Sequence, residues 1–210
     1  MLYVWIILIA NLLIIAANLL CSLFVQGFSP DVAHILLMPP ISTVAVIAVD
    51  GIAAFIIRRL PQKWFAYDSI FSRVSKKECA FYTKLGVRKW RTKVPELGMF
   101  TGFHKNKVYE PDSNDYLMRY ILEANYGFVI HVACVPVGFL IILICPLEWA
   151  LSFGIPVAIV NAVLNLMPAF ILRYNIPRLL SLMRMNDRRK TRPVGDEARA
   201  EDDTKTKVNC

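Results

Sequence analysis

The chain has 210 residues, 56% of them hydrophobic, yet it carries a formal net charge of +8 and an isoelectric point near 9.4, with mean hydropathy +0.47. A soluble domain of this size rarely joins such apolarity to such basicity; the combination fits membrane spans separated by basic loops. Topology and anionic lipid account for the basic excess, and no nucleic-acid partner is implied.

The first predicted span is Leu2 to Val25, interrupted by Asn11, Asn18 and Ser22. It has no basic n-region and is longer than a leader's apolar core, so it is expected to be retained. The second runs from Ala33 to Ile57, with Pro39 and Pro40 near its start and Asp50 inside. From Arg58 to Lys93 there are eleven Lys and Arg against two acids, Asp68 and Glu78. Trp64 and Trp90, with Phe65, Tyr67, Phe71, Phe81 and Tyr82, interleave with those cations. That alternation suits a segment lying along the lipid headgroups.

Pro95 and Gly98 predict a break, Gly98 to Gly102 a turn, and Pro111-Asp112-Ser113 a helix start. The third span is expected at Tyr126 to Cys145 and the fourth at Leu151 to Leu172. Arg173-Tyr174-Asn175-Ile176-Pro177-Arg178 then marks the cytosolic end of the fourth, with Pro177 as the expected helix stop. The tail from Gly195 is polar and expected to be disordered. The links Gln26 to Val32 and Pro146 to Trp149 carry no Lys or Arg, so both termini and the central region are placed in the cytosol.

The expected architecture is an all-α integral membrane protein of four transmembrane helices in two hairpins, with an interfacial aromatic-basic segment between them. Its parts are an N-terminal hairpin (1–57), a cytosolic or interfacial basic segment (58–125), a C-terminal hairpin with a basic end (126–190) and a tail (191–210). The five cysteines, 21, 79, 134, 145 and 210, show no Cys-x-x-Cys spacing. Neither a disulfide framework nor a metal site is expected.

Ionisable groups within spans are costly and carry a functional reading by default. Asp50 lies eight residues inside Arg58, roughly 12 Å at the rise of a helix. His131 lies roughly 8 Å inside Tyr126, and Asn165 is eight residues back from Arg173. All three are expected in one shallow layer on the cytosolic side. One reading makes His131 a general base, oriented or charge-balanced by Asp50 or Asn165, that activates a hydroxyl. The other makes the three an inter-helix hydrogen-bonding set. Glu123, eight residues before His131 and out of its reach on one helix, is expected to brace the third and fourth spans through an Arg in 173–178.

Arg173, Asn175, Arg178, Arg88 and Lys89, with Arg91 and Lys93, form a basic rim. It suits the phosphates of an acyl-CoA or an acyl-carrier-protein arm, or equally lipid headgroups. No His-x-x-x-x-Asp, Gly-x-Ser-x-Gly, His-Glu-x-x-His or P-loop occurs, which sets aside the commonest acyltransferases, lipases, proteases and ATPases.

Four blocks, however, resemble the glycosyl-4,4'-diaponeurosporenoate acyltransferase family, membrane enzymes that finish a staphyloxanthin-type carotenoid. They are Arg59-Leu60-Pro61-Gln62-Lys63-Trp64-Phe65; Val87-Arg88-Lys89-Trp90-Arg91-Thr92-Lys93; Glu123 and His131 followed by Val135-Pro136; and Asn165-Leu166-Met167-Pro168 with Arg173 to Leu179. The span Leu2 to Val25 has no clear counterpart, and Asp50 lies outside every block. The resemblance implies O-acyl transfer from a cytosolic thioester, acyl-CoA or acyl-carrier protein, to a sugar hydroxyl of a membrane glycolipid such as a glycosylated terpenoid. No metal or other cofactor is needed. The alternative is a non-catalytic membrane scaffold for envelope or pigment-pathway enzymes.

Overall fold

In the computed structural model the described residues are 2–24, 31–94, 108–144 and 149–191. They are helical, without strands. Helices α1 (Leu2–Phe24) and α2 (Val32–Arg58) come first. Short 3-10 turns follow at Gln62–Trp64 and Ile70–Ser72, then α3 (Lys76–Lys84), α4 (Val87–Trp90) and a 3-10 turn at Arg91–Lys93. Helix α5 (Asn114–Gly138), the single turn α6 (Ile141–Ile144), a π-helical turn (Ala150–Gly154) and α7 (Ile155–Thr191) complete the described residues. Four helical stretches are long and apolar enough to cross a bilayer: Tyr3–Phe24, Val32–Arg58, Asn114–Leu143 and Ala150–Thr191. The expected Pro95 and Gly98 break, the Gly98–Gly102 turn and the tail from Gly195 lie outside the described residues.

Pro177 does not stop the last helix. Helix α7 runs on for more than three turns to Thr191. An internal proline forfeits one backbone bond and tends to kink a helix. Here Ile171, Leu172, Tyr174, Ile176 and Leu179 are all buried around it. Packing outweighs the lost bond. The third span likewise begins well before Tyr126: Ser113 Oγ accepts from the Tyr116 amide at 3.3 Å, capping α5 where the Pro-Asp-Ser signal placed a start.

The described residues form two compact units, whose boundaries fall inside α5 and α7. The first comprises α1, α2, the end of α5 from Val129, α6, the π turn and α7 as far as Pro168. Its core is Ile14, Ile35, Val46, Ile141, Phe153, Val157 and Ala158. The polar residues of α1 are used in packing: Asn18 Nδ2 donates to the Ser152 carbonyl at 3.0 Å and Asn11 Nδ2 to Thr43 Oγ1 at 3.1 Å. Apolar side chains elsewhere on α1 and α2 face outward, among them Leu13 (65% exposed) and Val44 (67%), as a lipid-facing surface requires.

The second unit holds residues 60–128 and α7 from Ala169. Leu117, Tyr120, Ile121 and Ala124 on α5 pack with Leu172, Ile176, Leu179 and Met183 on α7, each set at helical spacing. The strand-less stretch before α3 is clamped to α5. Asn125, fully buried, donates to the Phe65 carbonyl at 2.9 Å and to Ser72 Oγ at 2.8 Å. Tyr126 donates to the Leu60 carbonyl at 2.7 Å and stacks on Phe65 at 3.9 Å. Cys79 is disulfide-bonded, a feature that the cysteine spacing does not signal, whereas Cys21 and Cys134 are free.

Candidate functional site

Three helices of the first unit bring together the polar residues that depth alone had grouped. Asn165 on α7 stands between His131 on α5 and Asp50 on α2. His131 Nδ1 is 2.8 Å from Asn165 Oδ1, and Asn165 Nδ2 is 2.9 Å from Asp50 Oδ2. The same nitrogen lies 3.1 Å from both the backbone carbonyl and the side-chain oxygen of Asn161, one turn earlier.

This arrangement fixes a tautomer. A backbone carbonyl only accepts, so the Asn165 amide nitrogen faces Asn161 and Asp50, and its oxygen faces the imidazole. His131 Nδ1 must therefore carry the hydrogen and donate, and in the neutral ring the lone pair is then on Nε2. A histidine held by a polar partner on one nitrogen, with its base on the other, is the working half of many general-base sites.

Asn161 is itself held, donating to the Cys134 carbonyl at 3.4 Å, while the Cys134 thiol donates to the Asp50 carbonyl at 3.8 Å. Gly138 makes room for it: a Cβ there would come within 2.5 Å of Asn161 Nδ2. Asn161 and Asn165 are buried, whereas Asp50 and His131 are half-buried. Asp50 Oδ1 is buried and accepts no hydrogen bond. An orphan acceptor of this kind in a native site calls for an incoming donor.

In the second unit Arg173 is a fastening. Its Nε and Nη2 reach the two Glu78 carboxylate oxygens at 2.6 and 3.3 Å. Nη2 also donates to the Arg73 carbonyl at 2.8 Å, Nη1 donates to the Phe71 carbonyl, and the guanidinium lies 5.1 Å from the Phe128 ring centre. Burial alone would raise the Glu78 carboxyl, but the Arg173 hydrogen bond and charge, with the Tyr82 hydroxyl and the capped Ser75 turn, outweigh it and hold the pKa below its ordinary value of 4.5. Tyr82 in turn is pushed above the usual phenol range, first by burial and then by the Glu78 charge and hydrogen bond. Arg173, expected beside a donor phosphate, is held by the fold through four of its five N–H donors.

Arg178 differs. Among the described residues it makes no ion pair, its Nε is buried without a hydrogen bond, and its guanidinium lies over the Tyr174 ring at 4.8 Å. Together with Arg91 and Asn175 it lines a cleft of about 200 Å³, to which Val108, Leu179 and Leu182 also contribute. Arg91 Nη1 donates to Asn175 Oδ1 at 3.1 Å. Arg88 and Lys89 are exposed on α4 and do not line the cleft, although Arg88 lies near enough to repel the Arg178 charge. Glu123 sits half-buried on α5 in the same unit, and the carboxylate that Arg173 holds is Glu78. Trp64 is 49% exposed, and the Trp90 indole donates to the Leu85 carbonyl at 3.1 Å.

Sequence reasoning passed over Asn161, Gly138 and Glu78. Asn161 had a signal, a second Asn one turn before Asn165 in an otherwise apolar helix. Glu78 had one as well, as one of two acids in a strongly basic stretch and the fourth residue of a Ser-x-x-Glu cap, with its amide 3.1 Å from Ser75 Oγ.

Four membrane-length helices, outward-facing apolar surface and a polar chain set among the spans define a multi-pass membrane protein. Residues 61–185 match the glycosyl-4,4'-diaponeurosporenoate acyltransferase family. The match covers more than half of the chain, and the chain belongs to that family; it is an acyltransferase. No curated protein and no solved structure matches it.

Proposed function

We propose that this protein transfers a fatty acyl group from a cytosolic thioester to a sugar hydroxyl of a membrane glycolipid, a carotenoid glucoside or related terpenoid glycoside. His131 Nε2 is the general base. It takes the proton of the sugar hydroxyl as that oxygen attacks the thioester carbonyl carbon. The new C–O bond forms, the C–S bond breaks, and the imidazolium returns its proton to the departing thiolate, leaving an ester and a free thiol. Asn165 positions the ring, and Asp50 Oδ2 holds Asn165. Asp50 Oδ1 accepts from a second hydroxyl of the sugar, which gives the orphan oxygen its partner. The balance of the reaction needs only donor and acceptor.

The observation that supports this reading is the chain Asp50–Asn165–His131, in which Nδ1 donates to Asn165 and the neutral ring has its lone pair on Nε2. Both termini and the basic segment are assigned to the cytosol by the positive-inside asymmetry. Exposed Trp64, Tyr67, Ile70 and Phe81 beside Lys and Arg suit contact with headgroups.

The test is mass spectrometry of membrane lipids from cells supplied with a glycosylated carotenoid and expressing wild type or His131→Ala at matched membrane levels. An acylated glycolipid made by the wild type and missing with the variant is expected. Its persistence in the variant would remove His131 from the chemistry. Its absence from both samples would favour a scaffold that acts through other enzymes.

A further inference from the structure

Within the first unit, a groove runs between α1, α2 and α7. It follows α1 from Ile7 to Ile14 and α7 from Val157 to Leu164, two turns of each helix, or roughly 10 Å. Counted inward from Arg58 and Arg173, its walls on α2 and α7 lie deeper in the bilayer than Asp50 and Asn165. Asn161 belongs to both features: it lines the groove, and its Oδ1 accepts from Asn165 Nδ2 at 3.1 Å. The groove therefore begins beside the polar chain and descends from it.

Three polar side chains reach the groove, and each is engaged. Asn11 and Thr43 bond each other at 3.1 Å, and Asn161 also donates to the Cys134 carbonyl. The rest of the lining is Ile, Val, Leu and Ala. A groove whose polar groups are satisfied and whose remaining wall is hydrocarbon takes an apolar ligand. It is narrow, enclosing about 30 Å³, which suits a linear chain lying lengthwise and keeps out a sugar ring. Of the two substrates, the donor is the one that needs such a place. The terpenoid part of the acceptor is already dissolved in the bilayer. A fatty chain carried by a cytosolic thioester must leave water as its carbonyl approaches His131.

We infer that the groove between α1, α2 and α7 seats the fatty acyl chain of the donor and sets which chain length is transferred. The inference rests on the acyl-transfer reading above, and it names the part of the donor that the spans recognise. Two of the three walls, α1 and α2, precede residue 61, where the family match begins. Chain-length choice is thereby assigned to a part of the protein outside the matched region.

The experiment has a kinetic arm and a binding arm, both on the full chain purified into liposomes. In the first, kcat/KM for palmitoyl-CoA is divided by that for octanoyl-CoA, a ratio that does not depend on how much of a variant is folded. Ala10→Phe and Val160→Phe, which narrow the groove from opposite walls, should each lower the ratio by at least about 10-fold, the loss of about two buried methylene groups. An unchanged ratio in both variants would overturn the inference. In the second arm, His131→Ala is irradiated with a palmitoyl-CoA that carries a diazirine near the chain end. Label is expected on residues 7–14 or 157–164 and should be suppressed by excess unlabelled palmitoyl-CoA. Label on the outward-facing Leu13 and Val44 should not be suppressed.

Label at the groove that persisted under excess palmitoyl-CoA would make it a seat for bilayer lipid tails, and the inference would fall. Suppression by a glycosylated carotenoid at the same concentration would assign the groove to the acceptor and overturn it as well. Saturable labelling with no acyl transfer by the wild type would sink the acyl-transfer reading and leave the chain site standing. Acyl transfer with no saturable labelling would do the reverse.

Discussion

At the scale of single residues, the proposed mechanism turns on which nitrogen of His131 carries the hydrogen, and that is decided two residues away from the ring. The backbone carbonyl of Asn161 orients the Asn165 amide, and the amide oxygen then requires a donor from Nδ1. Gly138 is part of this setting because it is what allows Asn161 its position. Gly138→Ala should push the Asn161 amide aside and lower kcat by about 10-fold, less than the roughly 10²- to 10⁴-fold that a general base supplies, because the base is displaced and not removed. The acyl-CoA KM should stay near the wild-type value, since the change acts through the proposed base. Steady-state kinetics on the purified variant, with its unfolding temperature as a control, checks this; an unchanged kcat would show that Asn161 does not transmit to His131. Asp50, His131 and Asn165 were legible in the sequence because polar groups in apolar spans are rare and their depth can be counted. Asn161 could be seen as a second Asn one turn before Asn165, but its part could not, since nothing in a one-dimensional pattern says that the orientation of one amide depends on the next.

At the scale of elements, α3 is fastened through one ion pair. The Ser75 cap fixes the start of the helix, and Glu78 then reaches Arg173 rather than turning back to its own cap. Phe81 adds an edge-on contact with Phe170 at 6.0 Å. The Glu78 pKa is depressed in the folded protein, so the stability that it contributes is present above 4.5 and is lost as pH falls through the folded value. Glu78→Gln should lower stability by about 1–3 kcal/mol at neutral pH, because it leaves a buried guanidinium short of its charged partner. The difference from wild type should shrink below pH 4.5. Unfolding temperature against pH in detergent measures it, and a gap that stayed constant into acid would contradict the assignment. The start of α5 could be read from its Pro-Asp-Ser signal. The continuation of α7 through Pro177 could not, because a proline's local penalty is visible in sequence while the burial of Ile171 to Leu179 that offsets it is not.

At the scale of the whole molecule, four membrane-length helices follow from hydropathy and length, and the acyltransferase class follows from the family match. That match begins at residue 61, after α1 and α2. Asp50 therefore comes from a helix that precedes the matched region, yet it meets Asn165, which lies inside it. The division of the chain into two compact units, with boundaries inside α5 and α7, leaves no trace in composition, because one continuous helix can change packing partners without a break in its apolar pattern. The family match implies a glycolipid acceptor, and under the proposed function a hydroxyl carried by a membrane lipid would reach His131 without leaving the bilayer. The central claim is tested most directly with purified protein in liposomes that contain a glycosylated carotenoid, given a radiolabelled acyl-CoA. Wild type should label the glycolipid, His131→Ala should lower the rate by on the order of 10² to 10⁴, and Asn165→Leu should fall between them. Equal labelling by wild type and His131→Ala would contradict the account.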